Sequence, residues 1–212
     1  AEWTWHAATA PAQVADRLVG AEVAVTNKVV LDEAAIASAD RLRLILVAAT
    51  GTDNVDIEAA RRHGVAVANA RGYATPSVVQ HVYALMLGLA THLPDYREAV
   101  RGGHWSASEH FTLLDRPIRE LAGGVLGIIG YGELGRAVAQ AAPTFGLEAR
   151  VAALPGHTHG PGIERVPLAE LLGQADVLSL HLPRTPETTG LIGAGELARL
   201  KPEALLINTA RG

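Results

Sequence analysis

Gly130-Tyr131-Gly132-Glu133-Leu134-Gly135 forms a G-x-G-x-x-G pattern that follows the apolar run Val125-Leu126-Gly127-Ile128-Ile129 and opens a stretch of helical periodicity. Such spacing suits the binding of an anion. The first two glycines let the backbone bend tightly and come close to a pyrophosphate, the third lets helix and strand pack closely, and the amides of the helix N-terminus face the negative charge. A dinucleotide is the expected ligand. In a chain with 22 glycines the bare pattern also fits an ordinary strand-to-helix turn, and the strand before it and the helix after it are what favour the ligand.

The final residues, Leu205-Leu206-Ile207-Asn208-Thr209-Ala210-Arg211-Gly212, make an apolar strand that runs straight into an arginine and a glycine. No closing helix follows, so the chain reads as cut short.

The elements that must position these residues are set by bulk properties first. With 212 residues, 49% hydrophobic and 19% charged, there is room for one large or two small domains with real cores. The apolar runs are too short to span a membrane, and no basic-apolar-cleavage pattern opens the chain, so a cytoplasmic protein is expected. The absence of cysteine excludes disulfides, thiolate metal sites and a cysteine nucleophile. A net charge of −4, with scattered arginines and Lys28 and Lys201 as the only lysines, gives no footprint for nucleic acid.

Short apolar runs at Trp3-Thr4-Trp5, Val23-Ala24-Val25, Leu44-Ile45-Leu46-Val47 and Val65-Ala66-Val67 alternate with helical stretches, which predicts an α/β fold with a parallel sheet. Thr9 near Pro11, and Asp56 ahead of Gly64, are the expected helix caps. Thr75-Pro76 should start a long helix with a broad stripe of Val78, Val79, Val82, Leu85, Met86 and Leu89, wide enough to cross between domains or to carry a dimer contact. A more polar stretch with Trp105 and Phe111 follows. The second unit, from near Leu121, is predicted to have strands at 125–130, 149–152, 176–181 and 204–208 and helices near 133–145, 167–173 and 194–200. In the first of these helices Leu134, Ala137, Val138 and Ala141 share a face, and Pro143 should end or kink it.

Five strings together resemble the D-isomer-specific 2-hydroxyacid dehydrogenases, and most the glycerate dehydrogenase or hydroxypyruvate reductase branch. They are Thr26-Asn27-Lys28-Val29, Ala49-Thr50-Gly51-Thr52-Asp53-Asn54-Val55-Asp56, Gly130-Tyr131-Gly132-Glu133-Leu134-Gly135, His181-Leu182-Pro183 with Thr188, and Asn208-Thr209-Ala210-Arg211-Gly212. They stand in the family's order and spacing over nearly the whole chain. The resemblance implies a flavodoxin-like substrate domain, here residues 1–92, and a Rossmann cofactor domain, here 93–212, both incomplete. It implies NAD or NADP as cofactor, a small 2-hydroxy or 2-oxo acid as substrate (glycerate and hydroxypyruvate, or glyoxylate), and a homodimer with neither nucleic acid nor membrane as partner.

The family's site residues carry over position by position. Arg211 would be the catalytic cation that grips the substrate carboxylate, for which a guanidinium offers a fixed charge and two parallel hydrogen bonds; an exposed arginine ending a strand is the plain alternative. Backbone amides of Thr50 and Gly51 would also meet that carboxylate, although Gly51 equally fits a simple turn. The glycine motif, with Tyr131, Glu133 and Leu134, would hold the dinucleotide; Thr209, Ala210 and Arg211 would lie at the nicotinamide, and His181, Pro183 and Thr188 on the cofactor's other side.

Two departures stand out. The second Rossmann strand of the family often ends in an aspartate for the ribose hydroxyls, and Ala153 stands there, which removes discrimination against NADP without creating a site for it, since no arginine follows in Leu154-Pro155-Gly156-His157. The family's catalytic glutamate and histidine lie beyond residue 212, so residues 1–212 alone are expected to be inactive. Among the histidines here, His63 suits a helix C-terminus, His81 reads as core or interface, His157 and His159 lack further metal ligands nearby, and none has an evident carboxylate partner. Rival functions on a similar fold are an NAD(H)-sensing protein without catalysis and a methyltransferase using S-adenosylmethionine.

Overall fold

The computed structural model describes residues 2–154, 163 and 165–210. By packing, the chain divides into Ala1–Tyr73 and Ala74–Gly212.

The first unit is a parallel sheet, β1 (Val23–Thr26), β2 (Leu44–Val47) and β3 (Ala66–Asn69), in that spatial order. Its helices are α1 (Val14–Leu18), α2 (Glu33–Ser38) and α3 (Ile57–Arg62). Strand periodicity decides which side they cover. Ile45 and Val47 point to one face and form the core with Val14, Leu18, Ile36, Ala59 and Ala60, whereas Val23 and Val25 remain exposed on the other. Asp56 caps α3 as expected, accepting the Ala59 amide at 2.8 Å, and Gly64 ends the turn at φ +69°. Asp32 does the same for α2 through Ala35, at 2.9 Å.

This unit departs from expectation at two places near its start. Trp3-Thr4-Trp5 is not a strand: the two rings are exposed and stack on each other at 5.9 Å. Side chains two apart fall on one side of an extended chain, so an unpaired segment can satisfy them without a ladder. Thr9 is not a cap either. Its hydroxyl is taken by the Arg17 guanidinium, and the 3₁₀ turn Pro11–Gln13 is closed by the Gln13 side chain accepting the Ala10 amide.

The second unit opens with α4 (Thr75–Ala90), α5 (Leu93–Arg101) and α6 (His104–Ala107), followed by β4 (Val125–Ile129), α7 (Glu133–Ala141), β5 (Glu148–Ala153), β6 (Arg165–Pro167), α8 (Leu168–Gln174), β7 (Val177–Leu180), α9 (Ala194–Leu197) and β8 (Leu205–Asn208). The sheet order β6-β5-β4-β7-β8, parallel at every pairing, is built outward from β4 first to one side and then to the other. Both faces are covered. Leu126, Ile128 and Val151 pack with α4 and α7 through Val82, Tyr83, Met86 and Val138, while Ile129, Ala152 and Leu178 pack with Leu171 and Leu172 of α8. Among the described residues no helix is long and apolar enough to cross a membrane.

Helix α4, counted with the first 92 residues in the sequence reading, packs its buried residues into the second unit's core. Tyr83 fixes it there by donating to the Val138 carbonyl of α7 at 2.8 Å and stacking on Phe145. Leu85 and Leu89 of the expected stripe are exposed, and the buried line runs through Tyr83 and Ala90 instead. The buried face of α7 is Gly135, Val138 and Ala139, one position round from the expected one, because the helix rests on its glycine. Pro143 ends α7, which tightens into a 3₁₀ turn over Ala142–Phe145. His81 is exposed, so it is not a core histidine.

At the amino ends of the strands Asp176 gathers several chains. Its carboxylate accepts the Val125 amide at 2.8 Å, Arg119 at 2.7 Å and Lys201 at 2.9 Å. Burial acts to raise its pKa, but the Val125 amide and the two cations outweigh that and hold it below the usual carboxylate range. Its stabilisation is therefore full above the ordinary aspartate value and is lost as pH falls through the lowered one. Asp176→Asn should lower unfolding free energy by about 1–2 kcal/mol at pH 7, with the difference shrinking in acid; denaturant melts at pH 7 and pH 3 measure both.

Candidate functional site

Register brings the site together. Ile129 pairs with Leu180 and Leu180 with Asn208, so the residues that follow them, Gly130, His181 and Thr209, stand level at the carboxyl edge of the sheet. That edge is where open parallel sheets bind ligands. A cavity of about 250 Å³ opens there, lined by Gly130, Tyr131 and Gly132 after β4 and by His181, Leu182 and Pro183 after β7. Ala152 and Leu154 at the end of β5, and Arg165 of β6, complete its described lining.

The three glycines of the motif face three different constraints. Gly130 has φ +95°, and a Cβ on it would lie 2.7 Å from the His181 carbonyl. A Cβ on Gly135 would lie 2.0 Å from Gly130 O, so α7 can sit this close to β4 only without a side chain. Around Gly132 nothing lies within 4 Å of the added carbon. The fold does not need that glycine, and the space beside it is open to a ligand.

His181 contributes a neutral polar group. Its Nε2 lies 2.9 Å from the hydroxyl of fully buried Ser179, and its Nδ1 is buried with no partner among the described residues. Burial pushes its pKa down to about 4. Arg165 brings the charge. Its guanidinium lies 5.3 Å from the centre of the Tyr131 ring, which Arg136 approaches to 5.8 Å, and its Nε is also buried without a partner among the described residues.

The other expected residues that are described do not line this cleft. The Glu133 carboxylate is engaged by the Thr75 hydroxyl, and Leu134 is half-buried on α7. Thr188 accepts the Thr185 amide at 2.8 Å and donates to the Pro183 carbonyl at 2.6 Å, so it shapes the loop that presents Pro183. The Thr209 hydroxyl is buried with no partner among the described residues, and the Ala210 amide donates to Asn208 at 2.9 Å. Arg211, His157 and His159 lie outside the described residues. In the first unit, the Thr50 carbonyl accepts from Asn69 at 2.6 Å, and Gly51 is not among the glycines held at positive φ. His63 is the C-cap of α3, as its position suggested. His92, contrary to the reading that no histidine has a carboxylate partner, lies 3.4 Å from Asp95.

Arg165 and Leu154 escaped the sequence reading. The only signal was the short run Arg165-Val166-Pro167 ahead of a helix, which becomes a strand through its pairing with β5.

A five-stranded parallel sheet with a glycine turn after its first strand defines a Rossmann-type dinucleotide domain. Residues 83–212 match the NAD-binding domain of the D-isomer specific 2-hydroxyacid dehydrogenases, and the chain belongs to that family. It is 43% identical over 211 residues to a glycerate dehydrogenase of Methylorubrum extorquens, covering 100% of this chain and 64% of that protein. A hydroxypyruvate reductase of Blautia hydrogenotrophica is 34% identical over 94% of the chain and 63% of its own length. The solved TT0316 protein of Thermus thermophilus superposes with a TM-score of 0.86 at 35% identity, over 95% of this chain and 63% of that one. The chain thus spans a little under two thirds of the relatives' length.

The glycine constraints are separable by experiment. Gly135→Ala should destabilise the second unit by about 3 kcal/mol or more, since the clash is with backbone, whereas Gly132→Ala should leave its thermal melt within a degree or two of the parent. A second measurement addresses His181. Between pH 6.5 and about 4 the unfolded chain binds a proton there that the folded chain refuses, so its stability contribution is full above pH 6.5 and declines towards pH 4. The parent should lose more stability over that range than His181→Gln; equal losses would show that the buried ring does not resist protonation.

Proposed function

We propose that the chain carries the cofactor site, and part of the substrate site, of an oxidoreductase that moves hydride between a nicotinamide dinucleotide and a small 2-hydroxy or 2-oxo acid. Glycerate and hydroxypyruvate, or glyoxylate, are the favoured substrates, in keeping with the names of the relatives. The observation that carries this reading is the cleft at Gly130–Gly132, where the sheet edge, the start of α7 and open space around Gly132 coincide. The second compact unit is the cofactor domain, and the first supplies the substrate-domain portion.

The residues present fit a dinucleotide. Free amides at the start of α7 face the pyrophosphate, and the absence of a side chain at Gly132 allows it to approach. The unpartnered Nδ1 of neutral His181 and the apolar Leu154 and Pro183 suit the adenosine end. Bound nicotinamide supplies or accepts the hydride. This chain's part is to orient: Thr209, level with Gly130, and Ala210 after it are assigned to the nicotinamide end, and Arg211, next in sequence, is to hold the substrate carboxylate so that one face of the carbonyl is offered. Thr50 and Gly51 contribute amides to the same carboxylate. The enzymatic reading is preferred to NAD(H) sensing because the relatives at 43% and 34% identity bear enzyme names.

The protein is further proposed to act in the cytoplasm as a homodimer. Exposed Leu93, Val100, Trp105, Phe111, Leu114 and Ile118 cluster within one stretch of the second unit and offer an apolar surface for a second copy.

Two substitutions in the full-length protein test the site. Gly132→Val should abolish NADH binding in a fluorescence titration while the melt survives; retained binding would remove the motif from the cofactor site. Arg211→Ala should lower kcat/KM for 2-oxo acids by one to two decades, from the roughly 1.5–3 kcal/mol of a charge-assisted hydrogen bond. Lysine should rescue it poorly for want of a fork.

A further inference from the structure

Cofactor discrimination is written into the end of the second strand of such a domain. A carboxylate there accepts the ribose hydroxyls of NAD and repels the 2′-phosphate of NADP. Here β5 ends in Ala153, and neither aspartate nor glutamate stands among the described residues lining the cavity. The charge that is present is positive. Arg165 enters from β6, the edge strand whose register sets Arg165 beside Val151 and Val166 beside Ala152. It lines the same cavity as Ala152 and Leu154, at the β5 end rather than at the β8 end where Thr209 stands.

We infer that Arg165 is a specificity-determining residue that accepts the 2′-phosphate of NADP(H), so that the cleft takes the phosphorylated dinucleotide at least as well as NAD(H). Three features support this beyond position. The guanidinium carbon lies 5.3 Å from the centre of the Tyr131 ring, a cation–π contact that limits the side chain's freedom before it grips an anion. Its Nε is buried with no partner among the described residues, a donor that the protein leaves unpaired. Arg136 stands on the same tyrosine ring and adds a second positive charge near the cavity mouth. A dianionic phosphate gains charge-assisted hydrogen bonds from such cations, whereas the neutral ribose hydroxyls of NAD gain only weaker ones. The sequence could show that the excluding carboxylate was missing, but not that an arginine from another strand replaces it.

The inference rests on the dinucleotide reading, and the test keeps the two apart. Dissociation constants for NADPH and NADH are measured by fluorescence titration, with 2′,5′-ADP and 5′-AMP as probes that reach only the adenosine end. NADPH should bind at least as tightly as NADH, and 2′,5′-ADP at least tenfold more tightly than 5′-AMP. Arg165→Ala should lower the NADPH-to-NADH affinity ratio at least tenfold. Arg165→Lys should restore part of it, because a point charge remains without the fork. Ala153→Asp should lower the same ratio by supplying the repelling carboxylate, and it guards against an Arg165→Ala protein that fails to fold. NADH binding at least a hundredfold tighter than NADPH overturns the proposal alone, as does an Arg165→Ala variant that weakens both dinucleotides equally, which would make the arginine an adenine-stacking group. Failure of the parent to bind either dinucleotide overturns the functional reading and the proposal with it.

Discussion

The closeness of α7 to β4 governs the second unit. With Gly130 O only 2.0 Å from where a Cβ of residue 135 would stand, the helix axis is set by backbone contact rather than by side-chain packing. Helix position determines where its amino end points. Seated this low, α7 starts directly above the turn at Gly130, so its free amides open onto the sheet edge instead of onto solvent beside it. The rotation that brings Gly135, Val138 and Ala139 to the sheet also gives Tyr83 the Val138 carbonyl, and so fixes α4. One missing side chain thereby orders two helices and a binding edge.

The two ends of the same sheet carry opposite electrostatic designs. At the amino ends, Asp176 is saturated by an amide, an arginine and a lysine, a closed arrangement that leaves nothing to offer a ligand. In and beside the cleft, by contrast, His181 Nδ1, Arg165 Nε and Thr209 Oγ1 are buried without partners among the described residues. Buried donors and acceptors in stable folds are nearly always paired, so three unpaired ones grouped here call for partners beyond the described residues. Their character is selective. A histidine held neutral by burial gives the cleft polarity, and the Arg165 guanidinium gives it positive charge.

Much of this was legible in the sequence because the signals were local. The strand and helix around the glycine motif fall within a residue of expectation at their start, since an apolar run, a glycine turn and a 3.6-residue period all lie within 17 consecutive positions of the chain, 125 to 141. Asp56 and Gly64 marked α3 for the same reason. What stayed hidden depended on tertiary pairing. Strand β6 is three residues ending in proline, too short to show a period, and exists through its ladder with β5. Helices α5 and α6 bury no residue, so their pattern reads simply as polar chain. Trp3 and Trp5 misled by composition, having the residues of a strand and no neighbour to pair with.

Arg165 shows why a site can be legible while its specificity is not. The glycine motif declares a class of ligand because one short segment must satisfy backbone geometry, helix packing and anion approach together, and few residue choices do so. Discrimination between ligands differing by one phosphate needs only one charge at one distance, and any strand that ends near the ribose can supply it. In this fold β5 gives up the position with Ala153, and the cation arrives from the neighbouring edge strand. The stretch between the two strands separates the arginine from the position whose role it assumes, so no local pattern links them. Only the parallel register of β5 with β6 brings the charge to the cleft.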